Sequence, residues 1–370
     1  MKAALIYLGR RGAGPAFSLD VARCLQPYLQ VRAFLSQHIE HAERWVELED
    51  EAVFFEVFSS PLQAAWRTLF RQNIRAIAAQ VRAYQPDVLI FPMFHPWNPL
   101  LQAALKDIPA IVFVHDPLPH PGFKNWLLRL WEDRSLRVAA GLVVFSESFL
   151  PAVAARGGKV ENTRVVPLPV NASLPADRVQ ELSIEPVDFL FIGRITSYKG
   201  LEVLLKAFEQ VVKQRMSATL RIAGSGDLRP YQELLQKLPN MDLCNIWIDE
   251  GAIPAYIRAS KVVVLPYTSA TQSGIVPLAA SVGAAVLATR TGGLPEQIEH
   301  GVNGWLVEPN NAEQLSAAML RLLDDAPLRA KIGAALNHEY ASKRNWKHVA
   351  QGLMELIGNI LPSDQPGGAH

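Results

Sequence analysis

Arg194 and Lys199, in the stretch FIGRITSYKG (191–200), follow a short apolar run and precede the helical pattern GLEVLLKAFEQVVKQ. Two cations at a strand end, beside a helix start, make a site for an anion. A guanidinium binds phosphate oxygens in pairs, a lysine adds a point charge, and the helix start adds free N–H groups. Ordinary solvated charges are the plain alternative. A second polar stretch, TSATQSG (268–274), separates the apolar runs KVVVLPY (261–267) and IVPLAASVG (275–283). Thr271, Gln272, Ser273, Gly274 and Ile275 read there as a loop entering a helix, with Ser273 or a neighbour as its cap and Pro277 in or beside the first turn. Free amides, hydroxyls and a flexible glycine suit a phosphate, and a well-capped polar loop is the simpler reading. Gly224 and Gly226, in IAGSGDL (222–228), permit a tight turn or the close approach of a ligand.

The elements that carry these loops follow an alternating plan. Apolar runs at 2–9, 31–36, 52–58, 87–93, 110–116, 141–148 and 163–170 read as strands, with helical segments such as 16–29, 61–84 and 124–138 between them. The second half repeats the scheme, with strands at 188–195, 218–226, 245–251, 261–267, 284–289 and 304–309. Continuous apolar strands imply burial on both faces, hence parallel sheets covered by helices and a doubly wound α/β fold. Domains are expected at 1–172 and 187–345, joined by the polar, proline-bearing linker 173–186. In such sheets ligands bind beyond the strand C-termini.

Composition narrows the function. With 370 residues, 49% of them hydrophobic, the chain can bury two cores, and a net charge of +1 argues against bulk nucleic-acid binding. Cys24 and Cys244 form neither a disulfide framework nor a zinc site, which fits a reducing, cytoplasmic compartment. The apolar run in MKAALIYLGRRGAG, about seven residues long, meets glycine and arginine and reads as a first strand, not a leader. No stretch reaches the roughly 20 apolar residues of a membrane span. The end, PSDQPGGAH (362–370), reads as a tail.

Taken together, FIGRITSYKGLEVLLKAF, LRIAGSGDL, IPAYIRASKVVVLPYTSATQSGIVPLA, TRTGGLPEQIEHGVNGWLVEP and the final NWKHVAQGLMELI resemble the retaining GT-B glycosyltransferases of family four, in the family's order across 188–360. The first half is similar more loosely, through RRGAGPAFSLDVARCL and FVHDPLPHPG. The resemblance implies two Rossmann-like domains facing across a cleft, the second holding a nucleotide diphosphate sugar. The helix at 346–361 would cross back onto the first domain. A hexose-type sugar would pass to a glycan, a lipid-linked acceptor or a small molecule, as in polysaccharide biosynthesis.

Residue by residue, Arg194 and Lys199 match the basic pair that neutralises the diphosphate. Gly193, Gly224, Gly226 and the backbone at Ile248 match the nucleotide contacts, and Thr271–Ile275 match the segment that reaches sugar and phosphates. His115 matches a histidine close to the donor sugar; Gly12 and Gly14 match the glycine-rich loop between acceptor and donor, keeping space open there. Retention would proceed by attack from the leaving-group face, with no enzyme nucleophile. There is no D-x-D pair, so no metal or other cofactor is expected. The chain departs from the family at two glutamates, whose positions here are Thr271 and Ala279, or Leu278 when counted back from Gly283. It is instead similar to a subgroup with TQSG in that loop, in which Thr271 or Gln272 would replace the sugar-contacting carboxylate.

Two segments carry basic and aromatic residues: Trp66, Arg67, Phe70, Arg71, Arg75 and Arg82 in one, Lys124, Trp126, Leu127, Arg129, Trp131, Arg134 and Arg137 in the other. They suit peripheral contact with an anionic membrane, such as the inner face of the cell membrane, which pelleting with anionic liposomes at low salt tests. A core-facing stripe with solvated arginines is the simpler reading. Competing functions are a non-catalytic GT-B protein that binds a nucleotide sugar or glycan, and a UDP-sugar epimerase. A Rossmann dehydrogenase is disfavoured, because no strand is followed by the glycine triplet it needs.

Overall fold

The computed structural model describes residues 1–48, 52–58, 68, 71–118, 126–170 and 183–361. The chain divides into two compact units. One holds the described residues of Met1–Pro117, Phe123–Pro167 and Trp346–Leu361; the other holds those of Leu168–Asn345, with Leu118. Trp66, Arg67, Phe70, Lys124, most of the expected linker and the tail 362–370 lie outside the described residues.

The first unit is a parallel sheet of seven strands. They are β1 (Lys2–Tyr7), β2 (Gln30–Ser36), β3 (Val53–Phe55), β4 (Val88–Phe91), β5 (Ala110–Phe113), β6 (Gly141–Val144) and β7 (Thr163–Val165), ordered β3-β2-β1-β4-β5-β6-β7. Its helices are α1 (Ala13–Leu25), α2 (Gln72–Tyr84), α3 (Asn98–Ala104), α4 (Trp126–Val138) and α5 (Leu150–Ala155). β4, β5 and β6 are buried at every position, which is why they read as unbroken apolar runs. β1 pairs with β2 on one side and β4 on the other, Ala3 lying opposite both Val31 and Val88, so the chain reverses its winding between β1 and β4.

The second unit repeats this with six parallel strands: β8 (Val187–Ile192), β9 (Leu220–Ala223), β10 (Met241–Cys244), β11 (Ser260–Leu265), β12 (Ala285–Thr289) and β13 (Trp305–Val307). Their order is β10-β9-β8-β11-β12-β13, with the reversal between β8 and β11. The helices are α6 (Leu201–Gln214), α7 (Gln232–Lys237), α8 (Ile253–Arg258), α9 (Ile275–Ser281), α10 (Leu294–Gln297), α11 (Ala312–Asp324) and α12 (Ala326–Lys343). α6 buries Leu201, Leu204, Leu205, Phe208, Val211 and Val212 at helical spacing in one core with Leu315, Met319 and Leu322 of α11. Each such side chain contributes about 1.5–3 kcal/mol of burial.

One expected strand is misplaced. The run 245–251 is a loop and short turn, and the strand is Met241–Cys244. β10 is an edge strand whose Asp242 and Leu243 are exposed, so it lacks the apolar signature of the inner strands. The apolar signal came from Ile246 and Trp247, which are 58% and 64% exposed.

The last helix, α13 (Trp346–Ile360), belongs to the first unit. Leu356 packs over Gly141 of β6, Gly352 lies against Val166, Glu355 pairs with Arg164 of β7, and Trp346 sits 5.5 Å from Phe17 of α1.

His95, in the turn after β4, is 8% exposed. Its ring stacks on Phe58 at 5.2 Å, and its Nδ1 accepts a hydrogen bond from the Trp97 N–H at 3.2 Å. Burial pushes its pKa down to about 3. Between about pH 6.5 and that value the unfolded chain holds one more proton than the native state at this residue. Its contribution to stability is therefore full above pH 6.5 and falls by about 1.4 kcal/mol per pH unit as the pH drops. Urea unfolding at pH 7, 6 and 5 should show this slope, and His95→Gln should remove this residue's share.

Candidate functional site

In the second unit the loops after β8 and β11 meet where the winding reverses, the place at which open α/β sheets bind ligands. The loop after β8 runs from Gly193 through a short turn, Ser197–Lys199, to α6. It is tied to the loop after β11: the Thr268 N–H donates to the Tyr198 carbonyl at 2.8 Å. Gly200 has φ +71°, and a Cβ there would stand 1.8 Å from the Pro266 carbonyl oxygen, so only glycine allows the two loops this close.

Arg194 is exposed and Lys199 half-buried; among the described residues neither has a carboxylate partner. The Lys199 Nζ lies 3.8 Å over the ring of Tyr267, which is 1% exposed and therefore immobile. This cation–π contact orients the ammonium without neutralising it. Between the two cations the Thr196 hydroxyl is buried and has no hydrogen-bond partner. α6 begins here with Gly200 as its N-cap and no side-chain cap. Two unneutralised cations, an orphaned hydroxyl and uncapped helix N–H groups form a set of donors short of an acceptor.

Ser273 has a different part from the one its sequence position suggests. It is 1% exposed, its N–H donates to Gln297 Oε1 at 2.9 Å, and its carbonyl accepts from Gln297 Nε2 at 3.1 Å. Its hydroxyl pairs with that of Tyr267 at 3.1 Å and accepts from the Ile275 N–H at 3.3 Å. Ser273 thus holds the loop from inside. Thr271 is also buried, and its carbonyl accepts from the Gly293 N–H at 2.7 Å. Gln272 is half-buried, whereas Gly274 is exposed and faces open space. Tyr267 and Gln297, which organise the loop, carry no motif that singles them out in the sequence; only the proline before the tyrosine hinted that the strand ends there.

Gly224 and Gly226 are explained by packing between loops. A Cβ on Gly224 would lie 2.0 Å from the Gly193 carbonyl oxygen, and one on Gly226 2.4 Å from that of Ile195. Asn245 pins Gly226 from both sides, accepting its N–H and donating to its carbonyl at 3.1 Å each. Their close approach is to the loop that carries Arg194, which they position. Gly193 itself, with φ +130°, faces open space. Ile248 is half-buried against the core that contains Tyr267.

In the first unit His115 follows β5 and is half-buried. Its Nε2–H donates to the Pro92 carbonyl at 2.8 Å, which leaves Nδ1 as the acceptor of a neutral ring. Burial is the main cause of its lowered pKa, opposed by the Pro92 carbonyl and Asp116. Phe17 and Phe145 clamp the ring, each 4.9 Å away. The chain beyond it is held by Arg156, whose Nη1 donates to the Pro117 carbonyl at 3.3 Å. Of the glycine-loop pair, Gly12, with φ +81°, faces open space, but the space beside Gly14 is filled by the Tyr7 hydroxyl.

On α4, Leu127, Leu130, Arg134 and Arg137 face outward, while Glu132 and Asp133 pair with Arg156. No described helix is long and apolar enough to cross a membrane. Among the described residues no three His, Cys, Asp or Glu side chains come together as metal ligands.

Two family patterns match the chain. Residues 12–169 match the glycosyl transferase 4-like domain, and residues 186–325 match glycosyl transferases group 1. The chain belongs to the group 1 glycosyl transferases. This glycosyl transferase is 32% identical over 179 residues to an uncharacterized glycosyltransferase of Methanocaldococcus jannaschii, a match covering 45% of this chain and 43% of that protein. It is 33% identical over 197 residues to the D-inositol 3-phosphate glycosyltransferase of Pseudarthrobacter chlorophenolicus, covering 49% and 47%. The chain thus spans about half the length of the curated relatives it matches.

Solved structures match it from end to end. The Anabaena protein HepE in complex with UDP-glucose superposes with a TM-score of 0.71 at 18% identity, covering 96% of this chain and 99% of that one. The sucrose-phosphate synthase of Thermosynechococcus elongatus superposes with a TM-score of 0.74 at 19% identity, covering 97% and 98%. The likeness is one of fold, and the fold of this glycosyl transferase is GT-B, with a parallel sheet in each of its two units.

Proposed function

We propose that this group 1 glycosyl transferase is a retaining, metal-independent hexosyltransferase that uses a nucleotide diphosphate sugar. The observation that carries the reading is the donor set at the β8–β11 reversal: Arg194 and Lys199, with no carboxylate partner among the described residues, flank in sequence the Thr196 hydroxyl, which has no partner among them either. A diphosphate supplies the acceptors that set lacks. The HepE complex with UDP-glucose supports a nucleotide sugar as the ligand class. The acceptor class is an alcohol on a glycan, a lipid-linked carrier or a small molecule.

In this reading the bond from the sugar C1 to the phosphate oxygen breaks, and C1 bonds to the acceptor oxygen on the same face. The acceptor proton passes to the leaving phosphate oxygen. The diphosphate gains negative charge as it departs, and Arg194 and Lys199, held in place before the reaction, stabilise that charge. The loop Thr271–Ile275, braced by Gln297 and Tyr267, presents its backbone to sugar and phosphates, with Gly274 giving access. The Ile248 backbone meets the base. Neutral His115 offers Nδ1 to a sugar hydroxyl. The domain limits 1–172 and 187–345 follow the same division of labour between acceptor and donor.

A melting-temperature screen with UDP, GDP, ADP and dTDP tests the binding. At a hundredfold excess over Kd, the cognate nucleotide stabilises the folded state by about 2.7 kcal/mol. That corresponds to a rise of several degrees, which EDTA should leave intact. No shift with any of the four would remove the reading.

A further inference from the structure

Arg221 and Cys244 stand on one face at the edge of the second sheet. Arg221 of β9 lies opposite Asp242 of β10, and Cys244 follows Asp242 by two residues, so its side chain points to the same side. Tyr256 of α8 meets both: its hydroxyl is 3.5 Å from the Cys244 sulfur, and the centre of its ring is 5.9 Å from the Arg221 Cζ. The Arg221 side chain is only 5% exposed, and its Nε donates to Asp242 Oδ2 at 2.5 Å. Its Nη1 is buried and has no hydrogen-bond partner among the described residues. A buried guanidinium N–H without an acceptor is costly, and an oxygen in that place would remove the cost. Cys244 is half-buried, on a strand with a neighbour on one side only, within reach of a small solute. The Tyr256 phenol keeps its proton, because the hydrogen bond with Cys244, and after it burial, push its pKa up. Cys24 is half-buried as well, but its surroundings differ. Its thiol donates to the Val21 carbonyl at 3.2 Å, and burial, then the Asp20 carboxylate, push its pKa up.

We propose that Cys244 is a modification site, oxidised by a hydroperoxide to the sulfenic acid, with Arg221 Nη1 and the Tyr256 hydroxyl as donors to the oxygen that carries charge. The Cys244 thiol gives its proton to solvent, and the sulfur attacks one peroxide oxygen. A sulfur–oxygen bond forms as the oxygen–oxygen bond breaks, and the departing oxygen leaves as hydroxide and takes a proton from solvent. The sulfur loses two electrons and the peroxide gains them, so that thiol and hydrogen peroxide give sulfenic acid and water. Negative charge moves from sulfur to oxygen during the step, and a guanidinium N–H fixed beside it stabilises that charge. The site is independent of the proposed sugar transfer.

The test treats the full chain with hydrogen peroxide in the presence of dimedone, which traps sulfenic acid, and separately with iodoacetamide. Peptide mass spectrometry follows the rate of each adduct at Cys244 and at Cys24. Alkylation needs the same access and the same thiolate, but its departing iodide is a weak hydrogen-bond acceptor. The ratio of peroxide rate to alkylation rate should therefore be roughly tenfold higher at Cys244 than at Cys24, the gain expected from one hydrogen bond to a charged acceptor. Arg221→Met should lower the peroxide rate at Cys244 by a similar factor, lower the alkylation rate less, and leave Cys24 as it was. Asp242 is half-exposed, so this variant strands no buried carboxylate. Equal ratios at the two thiols, no dimedone adduct at Cys244, or an unchanged peroxide rate in Arg221→Met would each overturn the proposal. Should Arg221→Met fail to fold, the wild-type ratios alone decide.

Discussion

Arg194→Ala and Lys199→Ala should each lower the rate of nucleoside diphosphate release by roughly ten- to thousand-fold, the range for removal of one group that stabilises transition-state charge. The effect should be this large because, among the described residues, no carboxylate pairs with either cation: Arg194 stands exposed, and Lys199 is held by the face of an aromatic ring 3.8 Å away. No second lysine shares the turn from Thr196 to Gly200. The loss should fall on kcat as well as KM, because charge on the diphosphate grows as the glycosidic bond breaks. Thermal stability should change little, since removing a cation with no carboxylate partner strands no buried charge. Wild-type rates in both variants would show that the diphosphate is held elsewhere.

The second large effect is on folding. Arg156→Ala should destabilise the protein by about 3–5 kcal/mol, a sizeable part of an ordinary domain's margin. The Arg156 side chain is only 5% exposed and pairs at 2.6 Å with both Glu132 and Asp133 of α4. Its loss would leave two largely buried carboxylates side by side without a counter-charge. Burial already raises the pKa of Glu132 against the pull of Arg156. A carboxyl whose folded pKa is raised favours the folded state below its unfolded pKa, and that advantage is lost as the pH rises through the folded value. Without the guanidinium the Glu132 carboxyl shifts further up, so the defect should be largest near pH 7 and shrink toward pH 5. Urea unfolding at the two pH values measures this. A loss below about 1 kcal/mol at pH 7 would mean that the carboxylates find other partners. Because Arg156 also donates to the Pro117 carbonyl, two residues beyond His115, the variant tests whether that segment depends on α4 for its position.

The sheets and their sense were legible in the sequence for a simple reason. Inner parallel strands are covered on both faces, so β4, β5 and β6 throughout, and β11 from Val262 onward, had to be apolar, and such runs stand out between helical periods. The edge strand β10 was not legible, because a strand with one neighbour and exposed Asp242 and Leu243 has no need of that pattern. Charge was legible in the same way: Arg194 and Lys199 are the cations of the loop after β8, wherever that loop lies.

What those residues do beside one another was decided by packing between segments far apart in the chain. The sequence marks Ser273 as a ligand hydroxyl or a cap, and Gln297, distant in the chain, turns it inward. Gly224 and Gly226 could have served a ligand or a turn; the loop at Gly193 and Ile195 occupies the space beside them. The same holds for Gly14 and the Tyr7 hydroxyl. A glycine in a sequence states only that something comes close. Which atom comes close depends on contacts that local periodicity does not encode.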